Sequence, residues 1–177
     1  MANFLLSAFS DECGEASLDG QITACRANGI THMELRGFGK TLNINNLTAP
    51  QAKEMRRKLD DSGMLVGSIG SGYGKINIKD DFAPHFEAFK RTVEVANLLG
   101  APYIRLFSFY FDAKDDHAVW RERVLSQVQS MAAYAFSNGV QACHENEKGI
   151  YGDTARLTSL MDEYASDYLG ALWDVHH

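Results

Sequence analysis

Apolar positions fall into short runs alternating with longer, spaced stripes along the whole chain. Residues 4–9 (FLLSAF) are the first run and predict a buried strand. Ser17 then stands as an N-cap, Leu18, Ile22 and Cys25 share one helical face, and Gly29 follows as a stop. Residues 31–36 alternate, with His32, Glu34 and Arg36 on one side and Met33 and Leu35 on the other, the period of a strand. Thr48-Ala49-Pro50-Gln51 opens a helix with a capping-box pattern; Ala52, Met55 and Leu59 form its stripe and Gly63 ends it. Residues 64–69 predict a third strand, and a glycine-rich loop, 70–75, follows. Phe82, Phe86, Phe89, Val93 and Leu99 stripe a long helix, and 103–107 is a fourth strand. Trp120, Val124, Val128, Met131 and Ala135 stripe another helix, and 140–145 is a fifth strand. Asp153 caps a helix carrying Leu157, Leu160, Met161 and Tyr164, and 169–174 is a sixth strand.

This is a strand–helix unit repeated roughly every 30 residues, the length of a βαβ unit. Strict alternation predicts an α/β fold with a parallel sheet packed on helices. No linker, charge block or low-complexity tract interrupts it, so 1–177 reads as a single domain. The sheet is either open and doubly wound or part of an eight-stranded barrel. The polar side of 31–36 favours the barrel, because strands covered on both faces read apolar on both, whereas a barrel interior near the mouth lines the site.

Composition narrows the function classes. The chain has 177 residues, 45% hydrophobic and 23% charged, with a net charge of −6. That balance argues against a nucleic-acid partner, and the basic run 53–58 (KEMRRK) reads as a wet helix face. Three scattered cysteines fit a reducing compartment. The first ten residues lack a basic region and a cleavage site, and no run approaches the roughly 20 apolar residues of a membrane span, so a cytoplasmic protein without membrane partners is expected.

Glu145 and Asp174 carry the strongest chemistry. Each ends a predicted strand, and neighbouring strand ends lie about 5 Å apart. Two carboxylates there repel unless a proton or cation joins them. His176 and His177 follow Asp174, and this mix of donors suits a divalent ion such as Mn²⁺ or Zn²⁺; the other reading is a turn-capping Asp174 with an exposed histidine tail. His144-Glu145 is not H-E-x-x-H, since Lys148 holds the last position. His144 faces away from Glu145 by strand alternation. The loop 70–75 fits neither phosphate fingerprint: a phosphate loop needs glycine where Ile69 stands, and the dinucleotide pattern needs it at Lys75. It reads as a mobile turn, or as a loop whose Lys75 holds a sugar hydroxyl or phosphate. Arg105 lies mid-strand, either holding an anionic substrate or ion-paired with Glu34 or Asp174. Cys143 reads as packing, and the role of Cys13 stays open.

The segments Glu34-Leu35-Arg36-Gly37, Ile69-Gly70-Ser71 with Gly74-Lys75-Ile76, Tyr103-Ile104-Arg105 with Phe107-Ser108-Phe109, His144-Glu145-Asn146-Glu147 and Trp173-Asp174-Val175-His176-His177 resemble, in order, the xylose isomerase-like TIM-barrel superfamily, in its sugar phosphate isomerase/epimerase branch. The resemblance implies a (β/α)8 barrel with one divalent metal ion (Mn, Zn, Mg or Co) at its mouth. It assigns Glu145 as metal ligand and acid/base, Asp174 as second ligand, and His177 as a substrate contact. Glu34, Lys75 and Arg105 join His177 as candidates for holding hydroxyls or phosphate. The implied activity is isomerisation or epimerisation of a sugar or sugar phosphate through an enediolate. The family's seventh and eighth strands, with a further histidine and a last glutamate, have no counterpart, so about six βα units of a TIM barrel are expected. That points to a truncated gene or to an assembly, such as a homo-oligomer, in which a partner closes the barrel. A non-catalytic remnant and an abasic-site endonuclease-like metal hydrolase are the alternatives.

Overall fold

The computed structural model describes residues 4–112, 114–147, 149–164 and 168–175. Its elements in chain order are β1 (Ser7–Phe9), α1 (Leu18–Ala27), β2 (His32–Leu35), β3 (Gly37–Phe38), β4 (Leu42–Asn43), α2 (Ala49–Ser62), β5 (Leu65–Ile69), α3 (Phe82–Leu99), β6 (Tyr103–Leu106), α4 (His117–Ser137), β7 (Gln141–Glu145), α5 (Thr154–Tyr164) and β8 (Leu169–Leu172). Six strands form one sheet in the order β1-β2-β5-β6-β7-β8, and β3 pairs antiparallel with β4 in a separate hairpin. The paired strands β1–β2, β2–β5 and β7–β8 run parallel. A doubly wound sheet reverses its strand order at a switch point. Here each sheet strand is followed by its successor without reversal, which selects the TIM-barrel-like arrangement over the open sheet.

The chain packs as two compact units, Met1–Ser71 with Arg91–Tyr103, and Gly72–Lys90 with Ile104–His177. In the first, β2 alternates as its sequence requires: Met33 and Leu35 are buried, while His32 and Glu34 are half-buried. Ser17 caps α1 by accepting from the Gly20 amide at 3.1 Å. Thr48 and Gln51 close a capping box on α2, whose buried face is Ala52, Met55 and Leu59. In the second unit, α4 buries Val124, Val128, Met131 and Ala135, and α5 buries Leu157 and Leu160. Asp153 accepts from the Arg156 amide at 2.9 Å, capping α5.

The largest departures from the sequence expectation are at the two ends of the sheet and in the β3–β4 hairpin. The first strand is only Ser7–Phe9, because its register with β2 starts at Ser7–His32; Phe4, Leu5 and Leu6 are exposed. The last strand stops at Leu172, paired with Glu145, so Asp174 lies two residues beyond it. The β3–β4 hairpin has strands of two residues, too short to leave a periodic pattern.

Candidate active site

The chemistry of the second unit gathers at the end of β7. Alternate residues of this strand are buried: Ala142 and His144 on one face, with Glu145, its last residue, on the other. The Glu145 carboxylate accepts from Arg105 Nη1 at 2.9 Å, and both side chains are under 10% exposed. Arg105 rises from the middle of β6, and its guanidinium stacks 4.9 Å from the Phe107 ring centroid. The same ring carries Lys75 Nζ at 4.2 Å. Lys75 in turn donates to Glu147 Oε2 at 2.7 Å. One buried aromatic ring thus collects two cations, and each cation holds a glutamate from the 145–147 segment.

Electrostatics at Glu145 follow from this crowding. Burial pushes its carboxyl above the ordinary carboxylate range. Arg105 opposes that shift, while the charges of Glu147 and Asp174 add to it. Three acidic side chains therefore sense one another near two cations. Glu147 also raises the neighbouring Tyr110 hydroxyl, after burial, which is the larger cause.

Asp174 is brought to this group by a residue that sequence reasoning missed. The Asn146 carboxamide, fully buried, donates to the Asp174 carbonyl at 2.9 Å and accepts from the Asp174 amide at 2.6 Å. An amide side chain here does what a further ladder rung would do, holding the chain beyond β8 alongside the end of β7. The signal in the sequence was an asparagine directly after a strand-ending glutamate, but its partner lies 28 residues away.

The Lys75 loop is anchored rather than free. The Phe107 amide donates to the Tyr73 carbonyl at 2.9 Å, and the Gly74 amide donates to His85 Nε2 at 3.0 Å. Gly74 has φ +91°, and a Cβ there would lie 2.1 Å from the Phe107 carbonyl oxygen. No other residue fits this approach. On the other flank, the Tyr151 amide donates to Ser108 Oγ at 2.8 Å, and Phe109 is fully buried with φ +65°. A phenylalanine in the left-handed region is a strained position, held here beside the site.

Glu34 belongs to the first unit, where it accepts from Ser68 Oγ at 2.8 Å. Its strand neighbour Arg36 pairs with Asp11 at 2.9 Å and Glu12 at 3.1 Å. Arg105 has Glu145 as a partner, an acceptor its strand position alone did not name. His176 and His177 lie outside the described residues. His144 is wholly buried, neither ring nitrogen is hydrogen-bonded among the described residues, and burial pulls its pKa down to about 4. It is a neutral packing residue. Cys143 is likewise inert, its thiol pushed up by burial to about 11.

The donor chemistry can be tested against a metal. Among the described residues, no group of three or more His, Cys, Asp or Glu side chains could hold an ion. Glu145 and Asp174 alone fall short of the three protein ligands that zinc takes, and His176 and His177, which follow Asp174, lie outside the described residues. The Glu145–Asp174 pair does fit a hard cation of the Mg²⁺ or Mn²⁺ kind, which is held through one or two carboxylates, with water and substrate completing its shell. A cation would also relieve the repulsion that Asp174 exerts on Glu145.

The sequence model of the xylose isomerase-like TIM barrel family matches residues 22–177. Among solved structures, the chain resembles the probable 3-DHS dehydratase AsbF involved in petrobactin synthesis from Bacillus anthracis, with a TM-score of 0.77 and 17% identity over 98% of this chain and 63% of that one. It resembles the IOLI protein with a binding zinc atom, with a TM-score of 0.74 and 12% identity over 93% of this chain and 61% of that one. It also resembles D-psicose 3-epimerase in the presence of D-fructose, with a TM-score of 0.69 and 18% identity over 90% of this chain and 58% of that one. The chain therefore spans 58 to 63% of the length of these structures. No curated protein matches it. No helix among the described residues is long and apolar enough to cross a membrane.

Proposed function

The chain belongs to the xylose isomerase-like TIM barrel family, and we propose that it carries the proton-abstracting part of an isomerase or epimerase of a sugar-like substrate, working in the cytoplasm. The observation that supports this most is Glu145: a buried carboxylate at a strand end, raised above its ordinary range yet held by Arg105. A carboxyl group raised toward the working pH is suited to take up and return a proton. Glu145 would remove the proton from the carbon between a carbonyl and a hydroxyl, leaving an enediolate. Arg105 fixes the carboxylate's orientation and keeps it ionised often enough to act as a base. Return of the proton at the neighbouring carbon gives isomerisation, and return on the opposite face gives epimerisation.

Glu145 and Asp174 would hold one divalent ion, which supplies Lewis-acid polarisation of the substrate oxygens when bound. Asn146 keeps Asp174 beside Glu145. Lys75 and Glu147, with His177, are the candidates for holding hydroxyls. An epimerase and a dehydratase can share a first step, loss of a proton beside a carbonyl, so both kinds of structural neighbour agree with this reading.

The test is turnover of a panel of keto sugars and their phosphate esters with Mg²⁺ or Mn²⁺ added, analysed for interconverted products. The expected result is conversion that a chelator suppresses and that Glu145→Gln lowers by at least about 10³-fold, the scale of a lost acid/base group. Equal conversion by the wild type and by Glu145→Gln would reject the proposal.

A further inference from the structure

A side chain holds the Lys75 loop at its tightest point. Gly74 is buried, so its amide needs a hydrogen-bond acceptor. That acceptor is Nε2 of His85, at 3.0 Å, reaching back from the first turn of α3. An imidazole nitrogen accepts only when it carries no proton, so the ring is neutral with its proton on Nδ1. The ring is packed in place: its centroid lies 5.1 Å from that of Tyr73, 6.2 Å from Phe109 and 6.4 Å from Phe82. Among the described residues these neighbours come from the loop, from the segment after β6 and from α3 itself, and of the three only Tyr73 carries a titratable group. Burial alone lowers the His85 pKa; no charged group contributes.

Protonation would reverse the contact. A charged imidazole donates at both nitrogens. It would set one N–H against the Gly74 N–H across the same 3.0 Å, so ring or loop must move. The effect passes to the next residue, because Lys75 lies 4.2 Å over the Phe107 ring and donates to Glu147 at 2.7 Å. The folded pKa of His85 lies below its ordinary 6.5, so the contact is complete at neutral pH and is lost as pH falls below 6.5 through that lower value.

We propose that His85 is the positioning residue of the Lys75 loop: its neutral ring holds Gly74, and through Gly74 the placement of Lys75 on Phe107 and Glu147. This role rests on the reading of Lys75 as a substrate-holding residue, whereas its measurement needs no substrate, so the two fail separately.

The experiment is NMR of the purified, isotope-labelled chain as the pH is lowered from neutrality. Imidazole nitrogen shifts report the tautomer, hydrogen exchange reports the Gly74 amide, and ring-current shifts of the Lys75 ε-methylene protons report its seat on Phe107. The wild type is expected to show the Nδ1–H tautomer and Lys75 protons shifted upfield. His85→Phe keeps a ring and removes the acceptor. It is expected to lower Gly74 protection at least about tenfold and to move the Lys75 protons toward their free position. His85→Gln supplies a carboxamide oxygen that accepts and does not titrate. It is expected to keep both signals at a pH where the wild type has lost them. A proton on Nε2 in the neutral wild type overturns the inference, whether or not His85→Phe folds. Lys75 protons unmoved in a His85→Phe variant whose circular dichroism matches the wild type also overturn it. So does a His85→Gln variant that loses both signals at the same pH as the wild type.

Discussion

Glu145 stands between burial, which favours its protonated form, and the Arg105 guanidinium, which favours its charge. As the proposed base it would work only when ionised, so activity should be lost as pH falls through its pKa, which lies above the ordinary carboxylate range. Arg105→Met removes the charge that opposes the shift. The acid limb of the pH–rate profile should then move further up toward neutrality. Breaking a buried pair also leaves Glu145 without its cation, and the variant should lose about 3 kcal/mol or more in urea unfolding. An acid limb that stays in place would mean that Arg105 does not act on Glu145. His144 makes a second prediction. Its folded pKa is depressed from 6.5 to about 4, so the unfolded chain takes up the proton first as pH falls. The stability it contributes is complete above about pH 6.5 and is lost as pH falls toward 4. The loss is on the order of 3 kcal/mol across that window. Unfolding free energies measured against pH should show this slope, and His144→Leu should flatten it.

At the scale of elements, local signals were legible and long-range ones were not. The capping box of Thr48 and Gln51, the Asp153 cap and the alternation of 31–36 are encoded within a few residues, and each appears in the structure. The strand expected to run to Asp174 stops two residues earlier because what holds Asp174 is the side chain of Asn146, just past the end of β7, not a strand pattern of its own. The β3–β4 hairpin left no period to read. The gathering of Lys75, Glu147 and Arg105 around Phe107 depends on strand order, which a single sequence does not display. The Asn146 link can be measured. Asn146→Ala removes two hydrogen bonds from a buried position and should cost about 2 kcal/mol. The Asp174 amide should then exchange with solvent faster; unchanged protection would assign its position to other contacts. Gly74→Ala should be worse tolerated, on the order of 3 kcal/mol in thermal unfolding, because the backbone is left-handed and the Phe107 carbonyl occupies the Cβ position.

At the scale of the whole molecule, the sheet order has β1 and β8 at its two ends. Exposed apolar side chains stand next to each: Phe4, Leu5 and Leu6 before β1, and Trp173 and Val175 after β8. Among the described residues β1 and β8 each have a sheet neighbour on one side only, and such edges beside apolar surface favour association with another chain. Sedimentation velocity should therefore show self-association, weakened by pairing Leu5→Glu with Val175→Lys. A wild-type chain that stays monomeric at high concentration would remove the case for an oligomer. The family fixes the fold of the chain, whereas the proposed reaction rests on Glu145. The measurement that addresses this most directly is incorporation of deuterium from heavy water into a keto sugar, followed by NMR with the divalent ion present. It reads proton abstraction itself, whatever product follows. The account predicts exchange at the carbon beside the carbonyl in the wild type and none above background in Glu145→Gln. Exchange that persists unchanged in Glu145→Gln would contradict it.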